Sequence, residues 1–195
     1  MNPGIKSKII LASASPRRKE LLARADIKFD ICLKSVDETV PAGMNPAEGA
    51  EHTAAVKAMA VSFINTDAIV IGADTVVVLD GEVLGKPKDK EDAVNMLKKL
   101  SGREHTVITG VCLACGEKYE TFHCESKVRF YPLTDEEIKH YVASGEPLDK
   151  AGAYGIQGKG MMLVESIEGD FYNIVGLPVA LVVRRIKEIE KRHEN

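Results

Sequence analysis

The chain has 195 residues, 45% apolar and 28% charged, with a net charge of −3, which is the profile of an ordinary globular protein long enough to bury a real core. The acidic balance, the scarcity of aromatics and the absence of tryptophan argue against a general nucleic-acid binder. No apolar run approaches membrane-spanning length, and Ile9 to Ala12 is too short for a signal-peptide core, so the expected location is the cytoplasm with no membrane partner.

In chain order, "KIILAS" reads as a first strand buried on both faces. Residues 16–25 read as a helix capped by Ser15, with Pro16 in the first helical position. "FDICLKS" reads as a second strand, and residues 46–63 as an Ala-rich helix. "AIVIGADTVVVLDGEVL" is strand-forming and broken by Asp80-Gly81, a strong hairpin signal. Asp89 caps a helix whose Ala93, Met96, Leu97 and Leu100 share one face, and Ser101-Gly102 ends it. Residues 104–114 and 119–131 form an expected hairpin around Gly116. Thr134 and Glu137 make a capping box for a helix that stops at Gly145. "KAGAYGIQGKG" is a Gly-rich loop, "MMLVESIEG" a strand, and Pro178 opens a last helix. Strands and helices mix without strict alternation, which favours an α/β fold with a mixed sheet and flanking helices.

Three cations, Arg17, Arg18 and Lys19, open the first helix, where the dipole disfavours positive charge. They make sense if an anion sits there: free backbone N–H groups and two guanidiniums suit a polyphosphate. Solvated surface charge is the bland reading. Asp74 lies in an apolar strand and needs either a partner or a task, such as holding a divalent cation or acting as a base toward water. A purely structural Asp is the alternative. Gly72 and Ala73 beside it leave room for close approach by a ligand. Lys86 suits a phosphate oxygen, or is merely solvated. The glycines at 152, 155, 158 and 160 permit close backbone approach, as a base pocket, a lid or a simple surface loop would need. Cys112 and Cys115 have zinc-like spacing, but positions i and i+3 of a strand face opposite sides, so the thiols read as buried or incidental.

Together "LASASPRRKELL", "VIGADTVVVLDGEVLGKP", "AVNMLKKLSGREHTVITGV", "EPLDKAGAYGIQGKG" and "GDFYNIVGLPV" resemble, in order, the Maf family of nucleoside triphosphate pyrophosphatases. "SPRR" and "DKAGAYGIQG" resemble the subgroup acting on dTTP and UTP; a sister subgroup preferring 7-methyl-GTP carries Trp where Arg17 stands. The resemblance implies one elongated domain over residues 1–195, with two lobes around a deep cleft, related to the inosine triphosphatases. It implies cleavage of the α–β phosphoanhydride to a nucleoside monophosphate and pyrophosphate, with Asp74 as proton acceptor and Arg17, Thr75 and Gln157 setting substrate preference. Ser15, Arg18 and Lys86 then contact phosphate, Glu38 and Asp74 share a divalent cation (Mg²⁺ or Mn²⁺), and Lys57 lines the cleft. A homodimer is expected on the same ground. The rival from another class is a non-catalytic nucleotide-binding regulator of cell division.

Overall fold

The structure is a computed structural model and describes residues 3–194. Its strands are β1 (Lys8–Leu11), β2 (Asp30–Ile31), β3 (Ala68–Leu79), β4 (Glu82–Leu84), β5 (Glu104–Cys115), β6 (Lys118–Phe130) and β7 (Val164–Glu168). Its helices are α1 (Pro16–Arg24), α2 (Pro46–Ser62), α3 (Lys90–Leu100), α4 (Asp135–Ala143), α5 (Phe171–Val175) and α6 (Val179–Glu194). Among the described residues the strands form a seven-stranded sheet ordered β2-β1-β3-β5-β6-β7, with β4 paired to β3. The sheet is mixed, as expected: β1 runs parallel to β2 and β3, while β4 is antiparallel to β3 and β7 to β6.

Two compact units divide the chain. The first holds Met1–Asp74, Thr109–Cys124 and Gly176–Asn195; the second holds Thr75–Ile108 and Glu125–Val175. Each has its own apolar core. In the first, α2 presents Ala54, Ala58 and Val61 to Ile10, Val70 and Cys112 of the strands. α2 lies so close to the sheet that a Cβ at Gly72 would stand 2.2 Å from the Ala54 carbonyl oxygen, and one at Gly110 would stand 2.3 Å from the Ala50 carbonyl carbon. Gly72 therefore makes room for a helix, not for a ligand. In the second unit, Leu97 and Leu100 of α3 join Ile138 and Val142 of α4 around Phe130 and Tyr154.

Local signals act where they stand in the sequence. The side chains of Ser15, Asn45, Asp89 and Thr134 cap α1, α2, α3 and α4, with full capping boxes on α2 and α4. Asp80 and Gly81 both have positive φ, 50° and 83°, the geometry of a tight hairpin between β3 and β4. Three elements depart from the sequence reading. β2 is two residues long, because its partner β1 ends at Leu11, and Ile31 and Leu33 lie exposed. β7 begins at Val164, the preceding Gly158–Leu163 being 3₁₀ turn. Phe171–Val175 forms a short helix of its own, pinned by buried Asn173, whose amide donates to the Val107 carbonyl at 3.0 Å and to Ser126 Oγ at 2.9 Å.

Candidate active site

The first unit assembles a cationic cradle at the start of α1. The chain leaves β1, turns through Ser13 to Ser15, and enters α1 at Pro16. Ser13 is buried, and its hydroxyl accepts the Ser15 N–H at 3.3 Å and an Arg18 guanidinium N–H at 3.1 Å. Arg18 Nε donates to the Gly176 carbonyl at 2.8 Å, which fixes the plane of the guanidinium. Burial pulls Arg18 down to about 10, opposed by the charge of Asp74, reinforced by the like charge of Arg17 and opposed again by Glu38. Arg18 stays a cation at neutral pH, and a half-buried guanidinium gains from charge-assisted bonds to an anionic ligand. Ser15 serves as the N-cap, its Oγ accepting the Arg18 N–H at 3.5 Å.

Beside this cradle stand the acids. β3 is buried through Ala73, and Asp74, Thr75 and Val76 are half-buried before the strand returns to the core at Val77 and Leu79. Asp74 has a partner, which the strand context alone does not reveal: Lys57 of α2 bridges it at 3.1 Å and Glu38 at 2.8 Å. The Asp74 side chain keeps 26% of its exposure, so this carboxylate is held without being sealed from water. The arrangement fits a divalent cation of one kind. Two carboxylates converge on one positive charge, and Mg²⁺ is typically held by one or two carboxylates plus substrate phosphate oxygens. Among the described residues no group of three or more His, Cys, Asp or Glu is placed to form an all-protein cage. The cysteines are free thiols, and burial, helped by the charge of Glu120, pushes Cys112 up to about 12, so that it stays protonated.

The second unit carries Thr75, Lys86 and Gln157. Thr75 follows Asp74 on β3 and is half-buried. Lys86 is exposed, directly after Gly85, whose carbonyl accepts the Gly152 N–H at 3.0 Å. That bond brings the start of the Gly-rich segment alongside the β4 exit. The segment is not a simple surface loop: Gly152, Ala153, Tyr154, Ile156 and Gly160 are buried. Tyr154 stacks edge-on against Phe130 and His105, and its hydroxyl lies 2.7 Å from His105 Nε2. Gln157 is half-buried just before the last 3₁₀ turn. Sequence reasoning missed Ser13, Gly176, His105 and Glu146, none of which carries a local signal for its contacts; only the quoted motifs "LASAS", "REHTV", "EPLDK" and "NIVG" contain them.

A basic helix start beside a carboxylate pair, on a mixed α/β sheet, defines a phosphate-handling protein of the nucleotide-hydrolase kind. The fold is shared with a HAM1 protein from Coxiella burnetii, at a TM-score of 0.50 and 16% identity, over 93% of this chain and 99% of that one. The sequence profile described as Maf-like protein matches residues 8–189, and the chain belongs to that family. It is 51% identical over 183 residues to the dTTP/UTP pyrophosphatase of Bacillus cereus (strain B4264), covering 94% of this chain and 96% of that one. It is likewise 51% identical over 181 residues to the dTTP/UTP pyrophosphatase of Bacillus velezensis, covering 93% and 96%.

Proposed function

We propose that this protein hydrolyses the α–β phosphoanhydride of dTTP and UTP, releasing the nucleoside monophosphate and pyrophosphate. The observation that carries the reading is the inward-turned Arg18 guanidinium at the N-terminus of α1, set in the fields of Asp74 and Glu38. Relatives at 51% identity over nearly the whole chain carry the name of that activity.

The chemistry follows from charge. A triphosphate brings negative charge that must be neutralised before water can attack, and the leaving pyrophosphate needs the same support. Arg18 and Arg17 bind phosphate oxygens at the basic start of α1; Ser15 shapes the turn, and Lys86 is a further point charge for a phosphate oxygen. Asp74, still open to water, accepts the proton of the attacking water. Lys57, paired with both, holds Asp74 and Glu38 close together. A divalent cation, Mg²⁺ or Mn²⁺, held by Glu38 and Asp74 would neutralise phosphate oxygens and polarise the water. Gln157, with a donor and an acceptor on one amide, and Thr75 select the base. We further propose one functional domain, acting as a cytoplasmic homodimer with no nucleic-acid or membrane partner. The nucleotide substrates support the location, and among the described residues no helix is long and apolar enough to cross a membrane.

The test is pyrophosphate release from UTP, dTTP, CTP, ATP, GTP and 7-methyl-GTP with Mg²⁺ or Mn²⁺ present and after chelation. UTP and dTTP are expected to lead, and chelation to abolish turnover. A hydrogen-bonding pocket rejects a mismatched base strongly, whereas the thymine methyl is worth only about 1–3 kcal/mol. Tight UTP binding with no release of pyrophosphate would instead establish the non-catalytic regulator. Preference for a purine would remove the subgroup assignment.

A further inference from the structure

The Gly-rich segment of the second unit is wound around a single carboxylate. Glu146 stands at the start of the 3₁₀ turn that follows α4. Its Oε1 accepts the Tyr141 hydroxyl at 3.0 Å and the Gly160 N–H at 3.2 Å, and its Oε2 accepts the Lys159 N–H at 3.0 Å. Tyr141 in turn accepts the Gly155 N–H at 3.1 Å through the same hydroxyl. Backbone N–H groups on both sides of Gln157 are thus tied to this pair of side chains.

The glycines record how tight the winding is. A Cβ at Gly158 would meet Glu146 Oε2 at 2.8 Å, and one at Gly160 would meet the Gly155 carbonyl oxygen at 2.1 Å. A carboxylate receiving backbone N–H groups makes charge-assisted bonds, stronger than those of a neutral acceptor. Gln157 lies between anchored points and has little freedom to move by itself. The phenol cannot replace the carboxylate, because burial and the neighbouring Glu146 raise the pKa of Tyr141 and keep it neutral.

We propose that Glu146 is a positioning residue for base selection: its carboxylate, with Tyr141, sets the backbone of residues 155–160 and so the place from which Gln157 reads the base. The inference rests on the assignment of base selection to Gln157. It makes Glu146 a determinant of specificity that touches neither the phosphates nor the reacting water.

The test is a double-mutant cycle read as preference, the ratio of kcat/KM for UTP to that for CTP. Uracil and cytosine differ at the hydrogen-bonding edge, so the ratio isolates what the amide reads. Glu146→Gln keeps size but turns an amide N–H toward one of the backbone N–H groups. It is expected to lower the preference about fivefold or more, through KM for UTP more than through kcat. In a Gln157→Ala background the same change is expected to alter the ratio by less than about twofold, because both act by one route. Glu146→Asp, which keeps the charge, should recover part of the preference. If Glu146→Gln does not fold, Tyr141→Phe carries the same expectation, since it removes the hydroxyl from both Glu146 and Gly155. Unchanged preference in the Glu146 or Tyr141 variant, with Gln157→Ala lowering it, overturns the positioning role and leaves base selection by Gln157 standing. Equal effects of Glu146→Gln with and without Gln157 also overturn it. Unchanged preference in Gln157→Ala alone overturns the base-selection assignment and, with it, the route through Gln157.

Discussion

Asp74→Asn is expected to lower turnover by about two to four orders of magnitude, the usual range for a positioned acid–base group. Asn is nearly isosteric, so the fold should survive, with Lys57 still paired to Glu38. Wild-type turnover in Asp74→Asn would make Asp74 structural and end the mechanism. Arg18 behaves differently from a simple surface cation at a helix start. Removing it deletes the bonds to Gly176 and Ser13 as well as a phosphate ligand. Arg18→Ala is therefore expected to lose nucleotide binding and also about 1.5–3 kcal/mol of stability without ligand, the range for hydrogen bonds of charged groups. Denaturant titration of the unliganded protein checks this. Unchanged stability would show that the Gly176 bond contributes nothing net.

At the scale of elements, the helix–sheet contact of the first unit is the strictest constraint. α2 carries Lys57 on one side and rests on Gly72 and Gly110 with its backbone. A methyl at position 110 has no flexible side chain to push aside; it meets the Ala50 and Glu51 main chain at 2.3–2.4 Å. Gly110→Ala is expected to cost about 3 kcal/mol or more, at the upper end for overpacking. Because α2 must shift, the variant should also weaken activity by moving Lys57 away from Asp74. A fully stable Gly110→Ala protein would mean that α2 slides at little cost. Helix capping, by contrast, is local and redundant: each of four helices brings its own capping side chain.

At the scale of the whole molecule, pH dependence is set by a buried group remote in sequence from the proposed chemistry. His105 is 3% exposed, and burial holds its imidazole down at about 4 instead of the ordinary 6.5. The folded protein keeps it neutral while the unfolded chain takes up a proton near 6.5. Stability is therefore fully present above that value and is lost as pH falls toward about 4, by about 3 kcal/mol from this group. Denaturation curves at several pH values should show a shallower fall for His105→Gln than for wild type across that window. Equal slopes would mean that the imidazole is protonated inside the fold.

Much of this was legible along the chain. Ser15-Pro16, Asp89 and the Thr134–Glu137 box announce helices because capping joins residues only a few positions apart. Asp80-Gly81 announces a hairpin because positive φ is a property of those residues themselves. The basic first turn of α1 points to an anion for the same local reason: it conflicts with the helix dipole where it stands. The ends of strands were less legible, since β2 stops where its neighbour stops, not where its own apolar residues do. Which groups share a charge or a hydrogen bond was decided by tertiary structure alone. The Gly176 carbonyl reaches Arg18 across 158 residues, Lys57 reaches Asp74 across 17, and Glu146 reaches Gly160 across 14. No residue-by-residue propensity encodes those pairings. A glycine likewise signals only that space is needed, and the folded chain alone shows that Gly72 yields it to a helix and Gly158 to a carboxylate.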